Sequence, residues 1–288
     1  MNTRLPLLLV SLLSVSSCST IDSLQNTNPA LANLVERAEG GDADSQFRLG
    51  VRYTNGSGLR QDYARAAHWF ELASAKGHHN SEYMLAIAHS TGRGTNIDQG
   101  RALELFTRAA TAGHVRSQYQ LGEAYANGRG AAKDLMWASM WYEKAALQKH
   151  PEALFSLGAF RAAGLDGKAD QNQAWLWFDL AARLAHPLAA QVRDRIATTM
   201  TSSALSQVEK RADNWVWPTK IKFADVPTVR YLQRALNILG YAAGPEDGLT
   251  GPTTEAAILN FTKDRKIRST ASIDADLIAR LRTALQVK

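Results

Sequence analysis

Apolar positions along this chain fall at intervals of three and four, and the whole pattern returns every 36 residues. Leu49-Gly50, Leu85-Ala86, Leu121-Gly122 and Leu157-Gly158 open equivalent segments. Such a period predicts stacked helical hairpins, because one hairpin cannot bury its apolar face alone. The first hairpin helix is expected from about Asp44 to Thr54, carrying Leu49, Gly50 and Tyr53. The second is expected from about Tyr63 to Lys76, with Ala66, Trp69, Phe70 and Ala73 on one face. Equivalent sets follow at Ala102, Leu105, Phe106 and Ala109, at Ala138, Trp141, Tyr142 and Ala145, and at Ala174, Trp177, Phe178 and Ala181.

Turn chemistry agrees with the period. Gly56 and Gly58, Gly92 and Gly94, and Gly128 and Gly130 stand between the helices, where a side chain would resist the turn. Asp62, Asp98, Asp134 and Asp170 stand where an N-cap accepts free amides of the second helix. The fourth turn departs from the pattern, with Asp166 in place of the second glycine and Gly167 one position late. Pro29 to Gly41 reads as an N-terminal capping helix, and Pro187 to Trp215 as a helical pair that closes the array without a Leu-Gly step. The motif from Ala/Ser-x-x-x-Leu-Gly to Trp-Phe/Tyr-x-x-Ala-Ala resembles the Sel-like repeat of the tetratricopeptide superfamily. It covers 43 to 186 as four full repeats. The resemblance implies an all-α superhelical solenoid that holds partners.

Two columns invite a functional reading. Phe47, Tyr83, Tyr119 and Phe155 recur on the first helices, which in the resembled family line the concave wall. The rings either form a ladder that holds a peptide or a glycan strand of a partner, or pack between hairpins. His78, His114, His150 and His186 close each repeat. Stacked layers lie roughly 10 Å apart, beyond any shared metal shell, so these histidines are expected to be turn residues at helix C-termini and no metal site is expected.

Composition changes after Trp215. The stretch 217–224 reads as a linker, which could instead dock on the last repeat through Trp215 and Trp217. Val229, Leu232, Leu236 and Leu239 then mark one helical face, Gly244 to Thr250 a polar loop, Thr253 to Lys263 a second helix and Asp274 to Leu285 a third. Leu232-Gln233, Leu239-Gly240-Tyr241 and the run Asp247-Gly248-Leu249-Thr250-Gly251-Pro252-Thr253-Thr254, with Ala257 and Phe261, resemble the small three-helix peptidoglycan-binding domain. The resemblance spans about 225 to 286. It implies peptidoglycan as a partner, with Tyr241, Asp247, Gly248, Thr250, Thr253 and Thr254 as the candidate binding residues. Asp247 can bond to amides of its own loop, the glycines let a ligand approach the backbone, and the threonines offer hydroxyls. The same residues also suit a tight loop and a helix start. Thr262 stands where the resembled family usually has Gln, and Lys266 to Ser272 lacks its customary glycine.

The N-terminus adds an address. Arg4 precedes the apolar run Leu5 to Val15 and the small-residue stretch Ser16-Ser17-Cys18, a run too short to span a bilayer and read as an export signal. Val15-Ser16-Ser17-Cys18 resembles a lipobox. The resemblance implies a signal peptide at 1–17, a lipid-bearing Cys18 that anchors the chain to a membrane, and periplasmic exposure; Ser19 favours the outer membrane. An ordinary signal peptide is the alternative. Cys18 is the sole cysteine, so no intrachain disulfide is available. The net charge of +6 is dispersed, without a basic run interleaved with aromatics, and no nucleic-acid partner is expected.

The inventory also argues against catalysis. No histidine follows His186, which leaves the C-terminal part without the usual ligands of a zinc hydrolase, and the one thiol is claimed by lipid. No catalytic residue and no cofactor are expected. The domain order is therefore a signal at 1–17, a linker at 18–28, the solenoid at 29–216, a linker at 217–224 and a peptidoglycan-binding-like domain at 225–288. The expected function is a lipoprotein adaptor that holds peptidoglycan by its C-terminal domain and an unidentified protein of the periplasm or membrane by its repeats. A regulator whose C-terminal module grips a wall enzyme is the alternative, and a lipid-anchored wall hydrolase the third.

Overall fold

The computed structural model describes residues 28–217, 225–267 and 273–287. Cys18, the segment before it and all but Trp217 of the expected 217–224 linker lie outside the described residues. Among those residues there are fourteen α-helices and no strand. A capping helix α1 (Pro29–Glu39) precedes four hairpins: α2 (Ala43–Asn55) with α3 (Tyr63–Ser74), α4 (His79–Thr91) with α5 (Gln99–Thr111), α6 (Val115–Asn127) with α7 (Leu135–Leu147), and α8 (Pro151–Ala163) with α9 (Gln171–Arg183). The pair α10 (Ala189–Ala197) and α11 (Ser202–Asp213) follows, then α12 (Val226–Leu239), α13 (Pro252–Asp264) and α14 (Ala275–Gln286).

Three of the four hairpins close on the glycine of a Leu-Gly step, and the second has Ala86 in that place. A methyl group on Gly50 would meet the Phe70 ring at 2.6 Å, one on Gly122 the Tyr142 ring at 2.6 Å, and one on Gly158 the Phe178 ring at 3.0 Å. The aromatic ring of the second helix therefore lies against the backbone of the first. Asp62, Asp98, Asp134 and Asp170 cap the second helices, accepting from the amides of Arg65, Arg101, Trp137 and Gln173 at 2.8–3.0 Å. Gly94 shows what the second turn glycine does: at φ +81° its missing side chain leaves room for the Tyr63 carbonyl, which a Cβ would overlap.

The histidine column needs a correction. His78, His114 and His150 are N-caps of the following helices α4, α6 and α8, not C-terminal turn residues. Their Nδ1 atoms accept from the amides of Ser81, Ser117 and Ala153 at 3.2–3.4 Å, the place that Asp42 fills for α2. An imidazole Nδ1 that accepts a bond carries its proton on Nε2, and in His78 Nε2 faces Asp44 Oδ1 at 3.1 Å.

The chain forms two compact units, one ending at Ala109 and the other starting at Ala110. That division lies inside the repeat array and not at 217–224, because the C-terminal domain packs on the third and fourth repeats. Tyr231 of α12 is buried and stands edge-on to the buried Trp137 of α7, with ring centroids 4.9 Å apart. Arg282 of α14 lies over the Tyr125 and Trp137 rings at 4.6 Å and reaches Asp134 at 3.2 Å. Asp225 caps α12 through the Thr228 amide and also pairs with the buried Lys144 at 2.7 Å. Burial pulls the Lys144 amine below its ordinary pKa, against the opposing charge of Asp225.

At the centre of the contact is Asp166, the residue that breaks the turn-glycine pattern. It is 6% exposed and takes bonds from Ser139 and Arg161, while Arg234 of α12 donates to its backbone oxygen at 2.5 Å and faces its carboxylate at 3.3 Å. Burial alone would raise its pKa. The charges of Arg161 and Arg234 and the Ser139 hydroxyl reverse that and hold it below the usual carboxylate range. Beside it Arg230 pairs with the buried Glu143.

Removing one partner of a buried ion cluster leaves the others uncompensated. Asp166→Ala is expected to lower the unfolding free energy of the second unit by about 3 kcal/mol or more, whereas Asp170→Ala, which removes only a helix cap, costs about 1 kcal/mol. Urea titration followed by tryptophan fluorescence compares them, and equal losses would contradict the account.

Candidate functional site

Two groups of sequence-predicted residues need placing, and the first surrounds the loop between α12 and α13. Helix α12 stops at Gly240, which takes the left-handed conformation at φ +92°. The loop then folds around Gln233, a side chain only 1% exposed. Its Nε2 faces Asp247 Oδ1 at 2.9 Å, the Leu249 carbonyl at 3.0 Å and Thr254 Oγ1 at 3.2 Å, and its Oε1 accepts the Gly248 amide at 2.9 Å. Asn237 holds the preceding stretch, accepting from the Ala243 amide at 2.7 Å and donating to the Gly244 carbonyl at 2.9 Å. Neither amide had a role in the sequence reading. The available signal was their position on α12, where a polar side chain facing the Leu232 and Leu236 core must find partners in its own loop.

This wiring divides the candidates. Gly248 is buried against Val226, whose Cγ1 would lie 2.6 Å from an added Cβ, so it serves packing and not ligand approach. Thr254 is 3% exposed and donates its hydroxyl to the Ala243 carbonyl at 3.1 Å. Both are corrected from ligand candidates to loop supports. Asp247 is exposed but gives one oxygen to Gln233 and the Leu249 amide, bonds that hold its carboxyl below the usual range. Tyr241 is half-buried, edge-on to Phe261 at 5.5 Å, and Thr250 and Thr253 are exposed. Gly251, at the start of α13, has nothing within 4 Å of its Cβ position. Leu249, 64% exposed, adds an apolar group that the sequence reading left out. A half-open aromatic ring, two hydroxyls and open backbone suit a neutral, hydroxylated ligand.

The second group is the aromatic column of the repeats. Phe47, Tyr83, Tyr119 and Phe155 are all half-buried. Each rests on the aromatic residue of its own second helix: Phe47 on Phe70 at 6.0 Å, Tyr83 on Phe106 at 6.0 Å, Tyr119 on Tyr142 at 5.9 Å and Phe155 on Phe178 at 5.1 Å. Histidines of the same column add a second contact to three of the rings. His78 lies 4.8 Å from Phe47, His150 stacks on Tyr119 at 4.8 Å and His186 stacks on Phe155 at 4.2 Å. The rings therefore pack between helices and keep one partly open edge.

Comparison with known proteins identifies both regions of the chain. The Sel1 repeat profile matches residues 43–78, 79–114, 115–150 and 151–186, and the profile described as "Putative peptidoglycan binding domain" matches 225–281. No curated protein gives a significant match. Among solved structures, the chain is similar to a Sel1 repeat protein from Oxalobacter formigenes at 31% identity and a TM-score of 0.53, covering 57% of this chain and 48% of that one. It shares a fold with a protective antigen of uropathogenic Escherichia coli strains at 23% identity and a TM-score of 0.53, covering 90% of this chain and 60% of that one. The chain thus spans about half and three fifths of these two relatives.

The cap His150 and the stacked His186 make a pH dependence. Burial pushes the His150 and His186 imidazoles below their ordinary pKa; Glu152 opposes the shift at both, and Arg116 adds to it at His150. A folded-state pKa below the unfolded value means that stability is fully present above the unfolded value of about 6.5 and is lost as pH falls through the window beneath it. The urea midpoint is expected to drop between ~pH 7.5 and ~pH 5, and to drop less in His150→Asn, which keeps a cap without a proton to gain. Identical pH dependence in both proteins would refute it.

Proposed function

This chain belongs to the Sel1 repeat family, and we propose that it is a non-enzymatic, lipid-anchored adaptor of the cell envelope. In this reading the C-terminal domain holds peptidoglycan and the repeats hold a protein partner. The observation that carries it is the state of the loop in the docked domain. Even with α12 packed on α7, Thr250 and Thr253 remain exposed and Tyr241 half open, while Gln233 keeps the loop in one shape without a ligand. Preorganisation of that kind lowers the ordering cost of binding.

The aromatic column is the surface proposed for the protein partner. Phe47, Tyr119 and Phe155 are anchored on two sides, by Phe or Tyr and by His, and Tyr83 rests on Phe106, which leaves rigid, partly open edges. Rigid aromatic groups lose little entropy on binding and are favoured at interfaces. Cys18 is proposed to carry lipid and to fix the chain at the periplasmic face of a membrane, the outer one by the Ser19 criterion. Holding membrane and wall at once raises the effective concentration of each contact, so weak individual contacts suffice.

Two measurements test the reading. The full mature chain is expected to sediment with purified sacculi at low salt without releasing soluble muropeptides, and Tyr241→Ala with Thr250→Ala to reduce sedimentation several-fold in a chain that still unfolds cooperatively in urea, at a midpoint lowered only by the lost contact of the half-buried Tyr241 with Phe261. A folded chain that stays in the supernatant would transfer the C-terminal domain to a protein ligand. In cells, Cys18→Ala is expected to abolish acyl labelling and to move the protein from membrane to soluble fractions; persistent labelling would remove the anchor.

A further inference from the structure

A cavity of about 490 Å³ lies within the second unit, between the last repeats and α12. That volume is in the range of small-ligand sites, roughly 300–1,000 Å³. Its walls come from α7, α8, α9, α11 and the segment after α11 on one side, and from α12 and the loop residue Glu246 on the other. Four arginines line it, Arg161, Arg211, Arg230 and Arg234, against two carboxylates, Glu143 and Glu246.

The pattern of unmet bonds identifies what the cavity lacks. Trp177 Nε1, Trp215 Nε1 and Arg161 Nε are buried atoms without a hydrogen-bond partner, and all three residues belong to the lining. Buried N–H donors are rarely left unpaired. Three in one wall, all donors, call for an acceptor-rich occupant. The arginines add to this. Arg211 makes no ion pair among the described residues, and Arg230 spends Nε on the Glu246 carbonyl and one terminal nitrogen on Glu143, leaving the other. A cation would meet a wall of donors. A carboxylate would meet guanidinium groups that bind it in a fork, while the Trp177 and Trp215 rings, edge-on at 5.5 Å, and Leu147 offer apolar surface to the rest of the molecule.

We propose that this cavity is a second wall-ligand subsite, which takes a short peptide bearing a free carboxylate, of the kind carried by the peptide stems of peptidoglycan. The proposal rests on the wall-binding reading above. It extends that reading from one loop to two sites, because Glu246 on the cavity wall directly precedes Asp247 of the loop. Sugar hydroxyls belong to Tyr241, Thr250 and Thr253, and the peptide carboxylate to Arg211 and Arg230.

Calorimetric titration of the full mature chain with a soluble muramyl tripeptide tests it. Amidation of the peptide carboxylates, Arg211→Gln and Trp215→Ala are each expected to weaken binding about tenfold or more, and Tyr241→Ala with Thr250→Ala to leave the free tripeptide fragment without sugar bound as before. Urea midpoints of the variants show that they are folded. If the wild-type chain sediments with sacculi while the amidated peptide or both cavity variants bind as tightly as their parents, the subsite is overturned and the wall reading stands. If the chain neither sediments nor binds the muramyl peptide, both fall together. An unrelated tripeptide with a free C-terminus that binds equally well would overturn the assignment in favour of a protein C-terminus.

Discussion

The second unit depends on a single buried carboxylate. Asp166 sits where the preceding repeats have glycine, and its charge is tolerable only because Arg161 from the same repeat, Ser139 from the repeat before and Arg234 from the C-terminal domain converge on it. Buried ion clusters contribute little net stability compared with an apolar core, since desolvation offsets most of the attraction. What they impose is geometry. A shifted α12 would strand Arg234 and Asp166 together, so the cluster permits one docked arrangement and penalises its neighbours.

Apolar contact supplies the drive that the ions direct. Along the second helices, the column Arg65, Arg101, Trp137 and Gln173 turns aromatic only in the third repeat, and the column His68, Glu104, Met140 and Leu176 turns apolar there and in the fourth. Trp137 and Met140 are buried, under a domain whose own α12 presents Leu232 and Leu236 to its core and Tyr231 to the repeat. Helix α12 is thus apolar on two sides, one for folding the domain and one for docking it.

Much of this was legible in the residues, and the misses have physical causes. Helices, turn glycines and aspartate caps followed from the period because each is a local rule repeated four times, and repetition removes chance. The histidines were assigned to the wrong helix end, since a residue between two helices is adjacent to both and only the Nδ1 bond to Ser81 or Ser117 tells which one it serves. Asp166 was visible as a departure, but its reason lay in Arg234, 68 residues away. The loop candidates were chosen by type, and type cannot separate Thr250 from Thr254; burial beside Gln233 does. Trp137 and Met140 carried the docking signal openly, in columns where the preceding repeat holds Arg101 and Glu104.

Repeat arrays lengthen and shorten by duplication or loss of whole units, and the docked helix restricts where that can happen here. Glu143 and Lys144 belong to the third repeat, Arg161 and Asp166 to the fourth, and α12 engages both. An extra unit inserted between them would move one pair of anchors a full layer away and leave the other alone. Units added before the third repeat meet no such obstacle. The array is therefore open to growth at its front and locked in number at its back, so homologous chains with the same clasp should vary in length only upstream of it.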